Sequence, residues 1–317
     1  MSRLLALALV LFSCAAFAQP AGKARRVGVL VPAANPDIEV FRDSLRKLGY
    51  TEGANLVLDL RVAGERLDRL TAMAADIVKA SPEVIVAVNT PGVQAAMAAT
   101  RTIPIVMVAV GDPVATGFVS NLARPDRNAT GVTNLCGELA GKRLAVFKSA
   151  LPGARRFAIM FNSGDAITAP QVRDAERTAP SLGVELRAFP VRNNKEVDAG
   201  FEAILKWKAD GVMWLCGQQR SLTRHMLPLA AKNRLPVMVA TGADVSLGGL
   251  ISYAADITEV FRRGAVYVDK ILKGARVGDL PVEQPTKFEL IVNLKAAKAL
   301  GVSIPGAVML QADRVIE

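Results

Sequence analysis

Arg25-Arg26-Val27-Gly28-Val29-Leu30 and Arg155-Arg156-Phe157-Ala158-Ile159-Met160 decide the fold of this 317-residue chain. Each is a basic pair running into a short apolar stretch, and the two stand 130 positions apart, Arg25 to Arg155. The segments downstream of them are also alike. After the first, a helical pattern from about Asp37 to Leu48 stops at Gly49. Strand patterns then fall at Leu56 to Val62, Val84 to Val88, Ile103 to Val110 and Thr130 to Asn134, with helical patterns at Arg66 to Lys79 and Pro91 to Ala99 between them. After the second, Val184 to Val191 comes directly after Leu182-Gly183, and Gly211 to Cys216, Pro236 to Ala240 and Leu250 to Ala254 complete a matching set. These strands are almost continuous in Val, Ile and Ala, which is the pattern of strands covered on both faces by crossover helices. The expectation is an α/β protein of two Rossmann-like lobes with parallel sheets, a duplicated layout.

The tail is too short for a third domain. Ile257 to Leu272 is one amphipathic helix ended near Gly274, Asp279-Leu280-Pro281 is a turn, Phe288 to Val292 a strand and Leu294 to Leu300 a short helix. That is enough for the chain to return to the first lobe and cross back. The expected division is a first lobe of residues 25–134 plus 251–284 and a second of 135–250 plus 285–317, joined by a multi-strand hinge that permits rotation.

The amino terminus reads as an export signal occupying residues 1–18. Arg3 precedes an apolar run from Leu4 to Phe12, and Ala16-Phe17-Ala18 offers small residues for cleavage before Gln19. The run to Ala18 is short of the roughly 20 residues that span a bilayer. Leu11-Phe12-Ser13-Cys14 only loosely matches a lipobox, so a soluble periplasmic protein is expected rather than one anchored at Cys14.

Composition excludes several kinds of chemistry. A single His leaves no multi-His metal site, and any His-dependent nucleophile would have to use His225. Three Cys without a C-x-x-C pair exclude a zinc ribbon and a thioredoxin motif. Cys136 and Cys216 fall on separate strand ends, so two free, buried thiols are expected. There is no G-x-G-x-x-G after a strand, no Walker loop and no G-x-S-x-G elbow. With 39 Lys+Arg against 29 Asp+Glu the chain is basic, but the charges are scattered along helices without interleaved aromatics, so nucleic acid is not an expected partner. No cofactor and no metal are expected.

In such lobes a ligand lies outside the carboxyl ends of the strands. The candidate ligand-binding residues are therefore Asn35, Asn89, Thr90 and Asp112 in the first lobe, Asn162, Ser163, Gln218, Thr241 and Asp244 in the second, and Asp256 after the strand that ends near Tyr253. Asn89-Thr90-Pro91 comes after a wholly apolar strand and opens a helix. Thr90 is placed to cap that helix, leaving amides free for a carboxylate or phosphate. Asp112 either accepts an ammonium or stabilises its own turn, and Asn162, Ser163 and Thr241 either touch ligand or cap helices. Asp244 and Asp256 either pair with an amine or cap local turns. Phe161, Trp214 and Tyr253 could stack on an aromatic ligand, although burial suits Phe161 and Trp214 better. His225 reads as a surface residue, and the Asn128-Ala129-Thr130 sequon carries little weight beside a bacterial-looking signal.

Several further segments carry a resemblance. They are Gly28-Val29-Leu30, Asp126-Arg127-Asn128-Ala129-Thr130-Gly131-Val132-Thr133, Gly249-Leu250, Ile271-Leu272-Lys273-Gly274, Leu280-Pro281-Val282-Glu283, Val292-Asn293, Ala299-Leu300-Gly301-Val302 and Ala312-Asp313-Arg314-Val315-Ile316. In order and spacing they are similar to ABC-transporter substrate-binding proteins of the tryptophan/tyrosine-binding type. The resemblance implies a type I periplasmic-binding-protein fold and a monomeric clamp that closes on an amino acid or related small carboxylate. It also implies a membrane permease of an ABC importer as partner, and no enzymatic activity. Asn162-Ser163-Gly164-Asp165 stands where that family usually carries a Glu-bearing loop, and Ala254-Ala255 where an aromatic often precedes the Asp. The rival readings are a ligand-sensing regulator, which would need a helix-turn-helix before the first strand, and an exported two-lobed enzyme, which would need a convergent acid/base or nucleophile set.

Overall fold

The computed structural model describes residues 24–165, 167–217 and 220–317. The signal-peptide reading, Cys14 and Gln218 lie outside the described residues. In the first lobe β1 (Arg25–Val31), α1 (Asp37–Lys47), β2 (Leu56–Val62), α2 (Leu70–Lys79), β3 (Val84–Val88), α3 (Asn89–Ala99), β4 (Ile105–Val110) and β5 (Ala129–Thr133) build a parallel sheet of order β2-β1-β3-β4-β5. Every residue of β3, β4 and β5 is buried, as continuous apolar runs require, while the edge strand β2 is largely half-exposed. Helix α1 forms because Ile38, Phe41 and Leu45 repeat on one face, with Asp37 and Glu39 at its amino end and Arg46 and Lys47 at its carboxyl end, the placement its dipole favours.

The second lobe is made of α4 (Ala140–Ala150), β6 (Arg156–Asn162), α5 (Thr168–Thr178), β7 (Glu185–Val191), α6 (Asn194–Trp207), β8 (Gly211–Trp214), α7 (Arg220–Lys232), β9 (Val237–Val239), α8 (Gly242–Val245) and β10 (Ile251–Ala255). The chain then crosses back as α9 (Ile257–Leu272), which covers the first sheet beside α1. It returns as β11 (Phe288–Asn293), α10 (Leu294–Leu300), α11 (Gly306–Met309) and β12 (Arg314–Ile316) in a second sheet of order β12-β11-β10-β9-β8-β6-β7. Within it β7-β6-β8-β9-β10 repeats the order β2-β1-β3-β4-β5, so the halves match, as their sequences do. Each sheet is sandwiched between two apolar clusters, one per face.

Two expectations need correction. β10 pairs with β9 and β11, so residues 251–255 belong to the second lobe, and the crossing falls at Asp256 rather than before Ile251. A strand that hydrogen-bonds on both sides is fixed by its sheet, whatever helix comes after it. The second sheet is also mixed: β11 runs antiparallel to β10 because it arrives from the other lobe, and the short β12 then extends the sheet in parallel with β11.

Three segments cross between lobes: the stretch after β5, Asp256, and residues 284–287. The segment before the third crossing docks on β5. Thr133 N–H donates to Glu283 O, Glu283 N–H to Gly131 O, and Thr130 Oγ1 to Leu280 O at 2.6 Å. Gly131 sits at φ +141°, and a β-carbon there would lie 2.1 Å from Met107 O on β4, which is why no larger residue fits.

Candidate functional site

The carboxyl ends of the two sheets face each other and the lobes touch. A β-carbon placed on Gly111, after β4, would lie 3.3 Å from Ile167 Cδ1 in the loop after β6. At the far lip, Arg224 of α7 pairs with Glu65 of the loop after β2 at 3.2 Å. The cleft in this structure is therefore closed.

On the first-lobe wall α3 begins at Asn89, two residues earlier than the capping pattern implies, with Val88 at the N-cap and no side-chain cap. Thr90 therefore lies inside the first turn and does not cap it. Asn89 holds φ +57°, a left-handed conformation that Asn tolerates better than most residues. The uncapped turn keeps its partial positive charge, which suits an anion. Asn35 and Asp112 take the structural role. Asn35 Oδ1 accepts from Asp37 N–H at 2.9 Å, and Asp112 Oδ1 accepts from Val114 N–H and Ala115 N–H at 3.1 and 2.9 Å.

The second-lobe wall carries carboxylates. Asp165, in the loop after β6, is half-buried and accepts from Ile167 N–H at 3.1 Å; a β-carbon on Gly217 would lie 2.6 Å from its Oδ2. Asp244, on α8 after β9, accepts from Thr241 Oγ1 at 2.7 Å. Burial pushes both carboxyls above the ordinary carboxylate range. The Ile167 amide opposes this at Asp165, and the Thr241 hydroxyl and the nearby Arg220 oppose it at Asp244. Among the described residues neither makes an ion pair. Asn162 uses its side chain for the turn, accepting from Gly164 N–H at 2.9 Å, and Ser163 is exposed beside it.

Asp256 is not on this wall. It is 5 % exposed, caps α9 by accepting from Glu259 N–H at 3.1 Å, and pairs with Lys287 Nζ at 2.8 Å, tying the second crossing to the third. Its pKa is lowered: burial, the largest influence, pushes it up, but the Lys287 bond, the Glu259 amide and the Lys287 and Arg262 charges together outweigh it. Trp214 is a core residue donating to Thr223 Oγ1 at 2.9 Å, Tyr253 stacks on Phe288 with ring centroids 5.8 Å apart, and His225 bonds Asp198 at 2.7 Å on the surface.

The two thiols expected to be free are joined. Cys136, just after the first crossing, forms a disulfide with Cys216, just after β8, with Cα atoms 6.1 Å apart. Strand ends distant in sequence converge at the cleft, which their sequence positions do not reveal. Below the disulfide, Arg143 of α4 is 1 % exposed and has no carboxylate partner among the described residues. Its guanidinium donates to Tyr253 O, Cys136 O and Ala240 O at 2.9, 3.2 and 3.4 Å, and desolvation lowers its pKa to about 10.

No local pattern singles out Asp165, Glu65, Arg224 or Arg143 in the sequence. Single charged residues on helices and loops carry no local signature of the partner they meet.

The family model described as ABC transporter substrate binding protein matches residues 27–316. A tyrosine-binding protein of Clostridioides difficile (strain R20291) is 26% identical over 286 residues, 88% of this chain and 81% of that protein. Among solved structures, a conserved domain protein from Vibrio cholerae is 30% identical with a TM-score of 0.84, covering 92% of this chain and 100% of that one. A Streptococcus pneumoniae ABC domain in complex with L-Trp is 23% identical, also at 0.84, covering 93% and 100%. The ligand-free, open structure of a substrate-binding protein with adhesive properties from Clostridium difficile is 26% identical at 0.72, covering 92% and 99%.

Proposed function

Because the chain belongs to the ABC transporter substrate-binding proteins, we propose that it is an exported receptor that captures an amino acid, or a related small carboxylate, between its lobes for a membrane permease. The observation that carries this reading is the opposition of an uncapped helix start on one wall to two ion-pair-free carboxylates on the other. A zwitterion complements that arrangement: its carboxylate meets the amides at α3 and the Thr90 hydroxyl, and its ammonium meets Asp165 or Asp244. Thr241, Asn89, Asn162 and Ser163 complete the polar rim. The ligand favours closure only to the extent that both walls touch it at once, so its differential affinity for the closed state drives the motion. The permease reads the closed shape. The amino-terminal segment supports export to the periplasm, and the receptor works as a monomer without cofactor or chemistry on its ligand.

The tyrosine- and tryptophan-binding relatives make L-tyrosine and L-tryptophan the first probes. Isothermal titration with these and a panel of other amino acids, combined with native mass spectrometry of co-purifying compounds, is the test. Saturable binding of an amino acid, lost when its amine or carboxylate is blocked, supports the reading. Binding of a neutral sugar, or turnover of the bound compound, overturns it.

A further inference from the structure

The far lip of the cleft carries a charge pair that only a closed molecule can make. Glu65 Oε1 lies 3.2 Å from Arg224 Nη1, and among the described residues this is the one ion pair that joins the lobes away from the crossings. Both partners are held by rigid structure. Arg224 stands in the second turn of α7. Glu65 comes after β2, and its backbone is anchored on the neighbouring strand: Ala63 N–H donates to Val31 O at 2.9 Å and Glu65 N–H to Pro32 O at 2.9 Å. Glu65 also sits at φ +69°, next to Gly64 at +63°. A non-glycine residue is disfavoured in this left-handed region, and the anchored turn keeps Glu65 there facing α7. The adjacent cation, Arg66, is occupied by Asp68 at 2.9 Å, so Glu65 has no competing partner on its own loop.

Position gives the pair its leverage. The crossings leave the first lobe at its β5 edge, and β2 is the opposite edge of the sheet. Four inter-strand steps of about 4.8 Å place Glu65 roughly 19 Å from the hinge side. At that radius a rotation of about 20° would part the charges by roughly 7 Å, well beyond ion-pair contact. The contacts near the hinge, such as Gly111 against Ile167, would move far less.

We infer that Glu65 and Arg224 form an electrostatic latch that biases the two lobes toward the closed state, with or without ligand, and so sets how tightly and how long the receptor holds its cargo. The effect on ligand rests on the solute-receptor reading above; the effect on lobe closure does not. The side chains are partly exposed, so the pair has the size of a surface ion pair, and losing it shifts the closed-to-open ratio by about 1.5- to 5-fold. High salt screens it.

The test measures lobe separation directly. Spin labels at Val57 and Leu205, exposed positions on the two lobes, report the inter-lobe distance distribution by pulsed electron resonance in the ligand-free protein. The parent, Glu65→Gln, Arg224→Gln and the exchanged pair Glu65→Arg/Arg224→Glu are compared at about 20 mM and 1 M salt. The expected result is a closed fraction that falls with salt in the parent, is lower and salt-insensitive in each neutralised variant, and recovers in the exchanged pair. Indistinguishable distributions across the four proteins overturn the latch. Titration with L-tryptophan and L-tyrosine runs alongside, and the neutralised variants should release whichever amino acid binds about 1.5- to 5-fold faster. If neither binds the parent, the ligand reading fails while the distance distributions still decide the latch.

Discussion

Replacing Arg143 by Met tests whether the second lobe depends on one buried cation. The guanidinium is held by the carbonyls of Cys136, Tyr253 and Ala240, which belong to the first crossing, to the strand leading into the second, and to the end of β9. Met has similar bulk but no donors, so three buried carbonyls lose their partner, at about 1–3 kcal/mol each. Against this stands the relief of no longer burying a charge. Burial lowers the Arg143 pKa from 12.5 to about 10, which corresponds to a burden on the order of 3 kcal/mol at 1.36 kcal/mol per unit. Taking the middle of the carbonyl range, the net destabilisation is about 3 kcal/mol. Urea unfolding monitored by circular dichroism reads it directly, with the native disulfide kept intact in both proteins. Arg143→Lys should recover only part, because a compact ammonium cannot reach three carbonyls set around a planar fork. A loss below about 0.5 kcal/mol for Arg143→Met would show instead that the carbonyls find other donors and that the lobe does not depend on this cation.

Asp244→Asn keeps the bond from Thr241 but removes a charge whose pKa burial raises. A carboxyl with a folded pKa above its unfolded value destabilises the fold above that folded pKa, and the penalty disappears as pH falls below the unfolded value near about 3.9. The variant should therefore melt higher than the parent at pH 7, equal it near pH 3, and bind an amino acid about tenfold or more weakly by titration calorimetry. By the same linkage, amino-acid affinity in the parent should decline as pH falls through the raised pKa values of Asp165 and Asp244, at higher pH than an ordinary carboxylate would give; a flat profile down to pH 4 would argue against an ammonium contact. Gly131→Ala forces a β-carbon against the β4 backbone and should cost about 3 kcal/mol or more in thermal unfolding. Cys216→Ser opens a cross-link spanning 80 residues, worth about 4.5 kcal/mol in the chain-entropy picture, and a thiol count on the native parent should find neither Cys136 nor Cys216 reactive.

The doubled α/β plan, the return of the chain into the second lobe and the strand-end loops are legible in the residues alone. Each of these is written locally. A strand buried on both faces shows as an unbroken Val/Ile/Ala run, as in Val84–Val88, and an amphipathic helix shows as an apolar repeat, as in Ile38, Phe41 and Leu45. Which lobe β10 joins emerges only from its strand pairing, because its apolar pattern is satisfied equally well by either sheet. The folded geometry likewise separates the polar side chains that turns and ion pairs engage most fully from the rest. Asp112, Asn35 and Asp256 look like Asp165 and Asp244 in sequence, yet the first three are consumed by turns, a cap and an ion pair with Lys287. The Cys136–Cys216 bond, the three carbonyls around Arg143 and the Glu65–Arg224 contact each join residues far apart along the chain. Charge and hydrogen-bond partnership depend on separation in space, and periodicity along a strand or helix carries no record of it.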